Sequence, residues 1–322
     1  MTFQLKAAES VPDGVRRNVR REVEKALEQL GAKVRPRQRD AWESDTVHEV
    51  RKGFKRVRAA LRLVRDGLGD DAYREDNWCF RDAARPLTEV RDAVVLIETL
   101  DKLGPPIDPG PATTVRAALL ANLQEVTQRV VRQGNAFDTA REVAAHALAR
   151  FSERAIDGDG WALAEGGLQR VYRAGHRAMA LAAADPSVPN LHEWRKQAKY
   201  LWHELQLLEP AWTGRDKDLG DRIHQLSRLL GEDHDLAVLR QTFAADPLTY
   251  GGHRVLKDLF VPVDHQRAEL EKQAFALGRQ LYKDSPKVFT SRIETDWKAW
   301  AAAVEGAPAH GAAVKRPTAP TP

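Results

Sequence analysis

Cysteine is almost absent: Cys79 stands alone in 322 residues, so no disulfide can form within the chain. A reducing compartment is the expected home. Long apolar runs are missing as well, and nothing approaches the roughly 20 consecutive apolar residues that span a bilayer. The opening MTFQLKAAESVPDGVRRNVRR meets a polar residue every few positions and lacks the apolar stretch of a secretory signal. The reading is a cytoplasmic protein with no membrane partner. Two sequence signatures of catalysis are also lacking. No glycine-rich phosphate loop of the G-x-x-x-x-G-K-[ST] type occurs, nor a G-x-S-x-G nucleophile elbow. Alternating strand-like runs are scarce.

What is present is a helical composition. Apolar side chains make up 43% of the chain and charged ones 30%, enough for one sizeable core or two smaller ones. Glycine and proline cluster at 69–71, 104–111, 157–160, 185–190 and 209–214, with Ala, Leu, Arg and Glu between. Those clusters punctuate helices. Apolar residues recur at 3- and 4-residue spacing over 14–31, 46–67, 73–103, 113–133, 137–156, 161–184, 190–208, 215–244, 251–278 and 286–303. The fold class is therefore all-α. The Ala-, Pro- and Thr-rich stretch 305–322 has no period and reads as a disordered tail.

Net charge is only +4, with a pI near 9.1, so the placement of the charges matters more than their sum. In VHEVRKGFKRVRAALRLV (47–64), a helical wheel with His48 at zero puts Arg51, Lys52, Lys55, Arg58 and Arg62 between about −80° and +40°. Val50, Phe54, Val57, Leu61 and Val64 fall on the opposite side, at about 160° to 240°. The motif returns as LHEWRKQAKYLWHELQLL (191–208), 144 residues on, with His192, Arg195, Lys196 and Lys199 on its cationic side. Trp194, Ala198, Leu201, Leu205 and Leu208 form its apolar side. LTEVRDAVVL (87–96) likewise matches LGEDHDLAVL (230–239) at an offset of 143, pairing Arg91 with His234, Asp92 with Asp235 and Arg85 with Arg228. The openings match more loosely, Arg17 with Arg170 and Arg20 with Arg173. The chain reads as two homologous halves, about 1–157 and 158–304, each with the four or so helices that close a bundle. A pseudo-twofold axis would bring the two ridges to one shared surface.

A basic ridge can be no more than a solvated helix face. Like charges at i,i+3 and i,i+4 nevertheless destabilise a helix by roughly 0.2–0.5 kcal/mol per pair, and a chain that repeats such a face argues for a use. Zinc proteolysis is excluded, because in HEVRK and HEWRK a lysine, Lys52 or Lys196, replaces the second histidine of H-E-x-x-H. His234-Asp235 resembles the His-Asp pair of metal-dependent phosphohydrolases, but Arg91-Asp92 replaces it in the other half. Asp92 and Asp235 read better as carboxylates that orient arginines or cap helices.

The pattern H-x-x-R-K-x-x-K-x-x-R, repeated and each time followed by L-x-E-x-[RH]-D-x-x-V-L, resembles the CHAD family, the conserved histidine α-helical domain. The ending 276–300 is similar too. The resemblance implies paired four-helix bundles around a basic groove or pore that binds inorganic polyphosphate, a binding module and not an enzyme, with neither cofactor nor metal. It implies ligand contacts from His48, Arg51, Lys52, Lys55, Arg58 and Arg85 in the first half and from His192, Arg195, Lys196, Lys199 and Arg228 in the second. Arg17, Arg20, Arg170 and Arg173 would join from the opening helices. The second half departs from the pattern: Trp202 stands at the position of Arg58, and Tyr200 at that of Arg56.

The residue types suit such a polymer. It carries about one charge per phosphate and has no bases to read; arginine forks bond its oxygens in pairs, and lysine tolerates shifts of register. Nucleic acid is the alternative partner, although the ridges lack interleaved aromatics for stacking on bases. A metal-dependent polyphosphate phosphohydrolase is the third reading, and association with polyphosphate granules is a further expectation.

Overall fold

The computed structural model describes residues 2–6, 9–32, 39–103, 109–212 and 218–305. Residues 306–322 of the expected tail lie outside them, while Glu305 ends the last helix. Among the described residues there is no strand, and the chain forms eleven long α-helices and one of four residues. The first half contains α1 (Val11–Gly31), α2 (Arg39–Leu63), the short α3 (Arg65–Leu68), α4 (Asp70–Ala84), α5 (Thr88–Lys102), α6 (Pro109–Thr127) and α7 (Ala136–Ser152). The second contains α8 (Gly160–Ala184), α9 (Val188–Trp212), α10 (Leu219–Ala245), α11 (Gly252–Leu281) and α12 (Pro286–Glu305).

Local chemistry sets the boundaries. Ser10 caps α1 by accepting from the Asp13 amide at 3.2 Å, with Pro12 in the first turn where its missing N–H costs nothing. Asp159 does the same for α8 and also accepts from the Val11 amide at 2.7 Å, so one carboxylate ties the starts of both halves together. The single helix expected over 73–103 is two. Pro86 lacks an N–H, and the chain tightens into a 3-10 turn over Arg85–Leu87 before α5 begins. At the matching point of the second half stands Leu229, and α10 runs through unbroken.

The apolar sides of both motif helices are the core. Val50, Val57, Leu61 and Val64 are fully buried and Phe54 nearly so; Trp194, Ala198, Leu201, Leu205 and Leu208 are fully buried. Helices pair in the same order in the two halves: α1 with α2 and α7, as α8 with α9 and α12; α2 with α4, as α9 with α10; α5 with α6, as α10 with α11. The buried apolar residues of both halves form one continuous cluster. Across the junction α2 packs on α8 and α9, and α5 on α10. The approach there is close: a Cβ at Gly167 of α8 would stand 2.1 Å from the Leu63 carbonyl oxygen. Arg62 of α2 lies 3.7 Å over the Tyr200 ring of α9, and Arg170 of α8 donates to Asp66 of α3 at 2.8 Å. No helix among the described residues is long and apolar enough to cross a membrane.

Candidate anion-binding cavity

Because α2 meets α9 and α5 meets α10, the cationic sides of the two motif helices face one another across a cavity of about 770 Å³. From α2 it takes His48, Arg51, Lys52, Lys55 and Arg56; from α9, His192, Arg195 and Lys199. Arg91 and Asp92 of α5 and His234 and Asp235 of α10 close it, so the four aligned positions of the second motif meet at one place. Among the described residues, seven cationic side chains confront two carboxylates there, and five of the chain's ten histidines stand among them.

Some of these cations are already partnered. Lys52 bonds Glu49 at 3.1 Å, and Lys196 pairs with Glu193 without lining the cavity, so each motif's own glutamate takes up the lysine three residues on. Arg91 holds Glu98 through two bonds of 3.1 Å. Arg51 donates to the Ala84 carbonyl at 3.0 Å and the Thr88 hydroxyl at 2.7 Å. Pro86 explains that contact: in the 3-10 turn the Thr88 amide goes to Arg85, which leaves the Ala84 oxygen without its helical donor, and Arg51 supplies one. Arg195, the counterpart of Arg51, reaches only to 4.0 Å from Asp235. Lys55 and Lys199 have no hydrogen-bonded carboxylate among the described residues.

The imbalance shows in the protonation energetics. Enclosure by protein, then Arg51, Arg195 and Lys199, push the Lys55 ammonium down to about 7, although its side chain still meets water through the cavity. Lys199 is lowered to about 8 by burial, then Arg195, Lys52 and Arg56. His192 falls to about 4 through burial, the neighbouring His234 ring at 4.5 Å and Arg195. Burial likewise lowers His48, His203 and His224, each further depressed by nearby cations. Burial raises Asp92 against the pull of Arg51. The cavity is thus short of negative charge, and an entering anion would return protons to its lysines and imidazoles.

A smaller recess of about 410 Å³ adjoins it, sharing Arg51 and Lys55 and adding Arg58, Arg81 and Arg85 around Phe54 and Phe80. Arg58 is steadied there by Asn77 at 2.9 Å. Where the first half sets Arg58 beside Arg81, the second sets Trp202 flat on His224, ring centres 4.3 Å apart and planes at 11°, with Lys199 4.5 Å from the indole. The two halves therefore contribute unequally. Among the described residues, no three His, Cys, Asp or Glu side chains are arranged to hold a metal ion, and His234 lies 3.4 Å from Asp235 as a simple pair.

The remaining candidates lie apart from both spaces. Arg17 is engaged by Glu9 and the Gln4 carbonyl, Arg170 by Asp66, and Arg173 by Gln169. Arg20 and Arg228 are exposed and line neither cavity. Conversely, Arg56, His203, Gln206 and His224 line the cavity without having been singled out. Two were within reach: continued from His192 as zero, the wheel puts His203 at about 20° and Gln206 at about −40°, inside the cationic side. Arg56, at about 80° from His48, lies off the ridge and is brought in by the angle at which α2 meets α9. His224 aligns with Arg81, so nothing but tertiary packing marks it.

A family model for the CHAD domain matches residues 21–244, which includes both ridge helices and both carboxylate-bearing helices. The chain belongs to the CHAD domain family. The solved CHAD domain from the plant Ricinus communis superposes with a TM-score of 0.52 at 17% identity, covering 96% of each chain, a likeness of fold. No curated protein matches the chain. In this CHAD domain, then, the repeated motif and its aspartate partners are the walls of one basic cavity.

Proposed function

We propose that this CHAD domain binds inorganic polyphosphate, holding the chain of phosphates in the cavity between α2 and α9, and that it does so as a binding module without catalysis. One observation carries the reading: the cations of both halves converge on a shared space in which Arg51, Lys55 and Lys199 have no ion-paired carboxylate among the described residues. Lys55, Arg195 and Lys199 offer the freest donors, and Arg51, held by Ala84 and Thr88, is a fixed wall. If each contact contributes ~1 kcal/mol, some eight contacts give ~8 kcal/mol, about micromolar before ordering costs. The aromatic group in the cavity, Trp202, is already engaged by His224 and Lys199, so it offers poor stacking to a base and disfavours nucleic acid as the partner. A protein of this kind would work in the cytoplasm, at the surface of polyphosphate granules.

The test is calorimetric titration with a long polyphosphate of defined length, repeated with RNA at equal phosphate concentration. Tighter binding of polyphosphate, weakening steeply with added salt as counterions are released, is the expected result. Displacement of polyphosphate by equal RNA phosphate would overturn the selectivity. Phosphate release in the presence of magnesium or manganese would overturn the non-catalytic reading.

A further inference from the structure

Among the described residues, Lys55 is the one lysine that lines both the main cavity and the recess beside it. The residue is solvent-exposed while its ammonium is largely enclosed by protein, so the route to the amine is through the two spaces it lines. Guanidiniums approach it from three helices: Arg51 on its own α2, Arg91 on α5 and Arg195 on α9. Lys199 of α9 adds to the positive surroundings, the nearby His203 is kept neutral by burial, and the opposing carboxylate of Asp92 on α5 is itself driven toward its neutral form by burial. On the far wall stand His234 and Asp235 of α10. No hydrogen-bonded carboxylate among the described residues stabilises the ammonium form of Lys55, whereas Lys52 and Lys196 each have one.

An amine kept partly free of its proton, beside forked phosphate donors, is the arrangement in which an anionic acyl donor reacts. We propose that Lys55 is a site of acylation by small acyl phosphates, with Arg51 and Arg195 holding the phosphate while the amine attacks the acyl carbon. The nitrogen lone pair forms the amide bond, the carbon–oxygen bond to phosphate breaks, and inorganic phosphate leaves with that electron pair. The surplus proton on nitrogen passes to water. No oxidant, reductant or metal is required. At about 7, the ammonium of Lys55 is roughly half deprotonated at neutral pH, where an ordinary lysine is almost wholly protonated. The lower basicity weakens the nucleophile somewhat, so the net advantage is on the order of tenfold. The product is neutral and bulkier, and it sits where the two spaces meet. Acylation would therefore weaken polyanion binding, a consequence that rests on the proposed function, whereas the reaction itself does not.

The test exposes the full chain to acetyl phosphate and follows each lysine by peptide mass mapping. Lys272 and Lys298, which are 77% and 70% exposed, serve as internal references. The expected result is acetylation of Lys55 at least tenfold faster than of either, with a rate inflection near pH 7 and protection by pyrophosphate. Arg195→Gln should slow it more with acetyl phosphate than with uncharged acetic anhydride, since both donors feel the proton that Lys55 regains but only the phosphate loses a fork. Equal rates at Lys55 and the references would overturn the site. An equal preference for Lys55 with both donors would overturn the steering by phosphate. Polyphosphate titration of the acetylated protein is a separate readout: unchanged affinity would remove the regulatory consequence and leave the chemistry standing.

Discussion

Replacing Lys55 and Lys199 together by glutamate puts two carboxylates where the cavity has its least-partnered ammonium groups. Each exchange removes an attraction and introduces a repulsion toward any bound anion. At about 4 Å in a water-filled site, each of these amounts to ~1 kcal/mol, so the pair of exchanges is worth ~4 kcal/mol at low salt. That corresponds to roughly a thousandfold in affinity. Screening over about 8 Å at physiological ionic strength trims the figure, and the new carboxylates would also engage Arg51 and Arg195. The expected loss at physiological salt is therefore at least tenfold, measured by calorimetric titration with polyphosphate. The fold should not suffer: Lys55 and Lys199 are lowered first by burial and then by repulsion from Arg195 and, for Lys55, Arg51, and the exchange relieves that repulsion. Helix content by circular dichroism should be unchanged and the thermal midpoint equal or higher. An affinity within threefold of the native value, with the helices intact, would refute the assignment of the cavity.

Three other outcomes are expected. Affinity for polyphosphate should rise more than tenfold as pH falls from 8.5 to 6: Lys55 at about 7 and Lys199 at about 8 are partly neutral in the free protein and charged in the complex, so binding takes up protons. Arginine at both positions should flatten that profile, and a native profile already flat would remove the linkage. Gly167→Ala gains about 1 kcal/mol of helix propensity, but its methyl would meet the Leu63 carbonyl oxygen at 2.1 Å, an overlap of backbone that costs more. The thermal midpoint should drop by several degrees, and polyphosphate affinity should fall with it as α8 and α2 are pushed apart; an unchanged midpoint would contradict the close approach. Glu204 is fully buried on α9, its oxygens have no hydrogen-bond partner among the described residues, and burial lifts it to about 8 despite Arg62 and Arg170. Between about 4.5 and 8 the folded chain therefore holds a proton that the unfolded chain has released, so stability falls as pH rises through that window. Glu204→Gln cannot ionise; its thermal midpoint relative to the native protein should climb from pH 4.5 to pH 8, by about 2 °C for each ~1 kcal/mol. A constant difference across that range would show that Glu204 is charged in the native state.

The sequence by itself determined the helices, the duplication and the separation of each motif helix into a cationic and an apolar side. These are local properties: a 3.6-residue period decides which side chains share a face, whatever the rest of the molecule does. That is why Phe54 and Trp194 were legible as core; the break at Pro86 was not legible in this way, because the apolar period of 73–103 continues across it while the missing N–H interrupts the helix that its counterpart Leu229 lets continue. Which cations meet was a matter of tertiary structure, since helices are placed by how their apolar faces interlock and charges follow. Packing of α2 on α9 gathers His48 with His192 and Lys55 with Lys199, and sweeps in Arg56 and His224, which no ridge announced. The same packing leaves Arg17 with Glu9 and Arg170 with Asp66, because a guanidinium near a carboxylate of its own chain is satisfied there. Sequence fixes which groups a helix carries on each side; only the crossing of one helix over another decides which of them remain without a counter-charge.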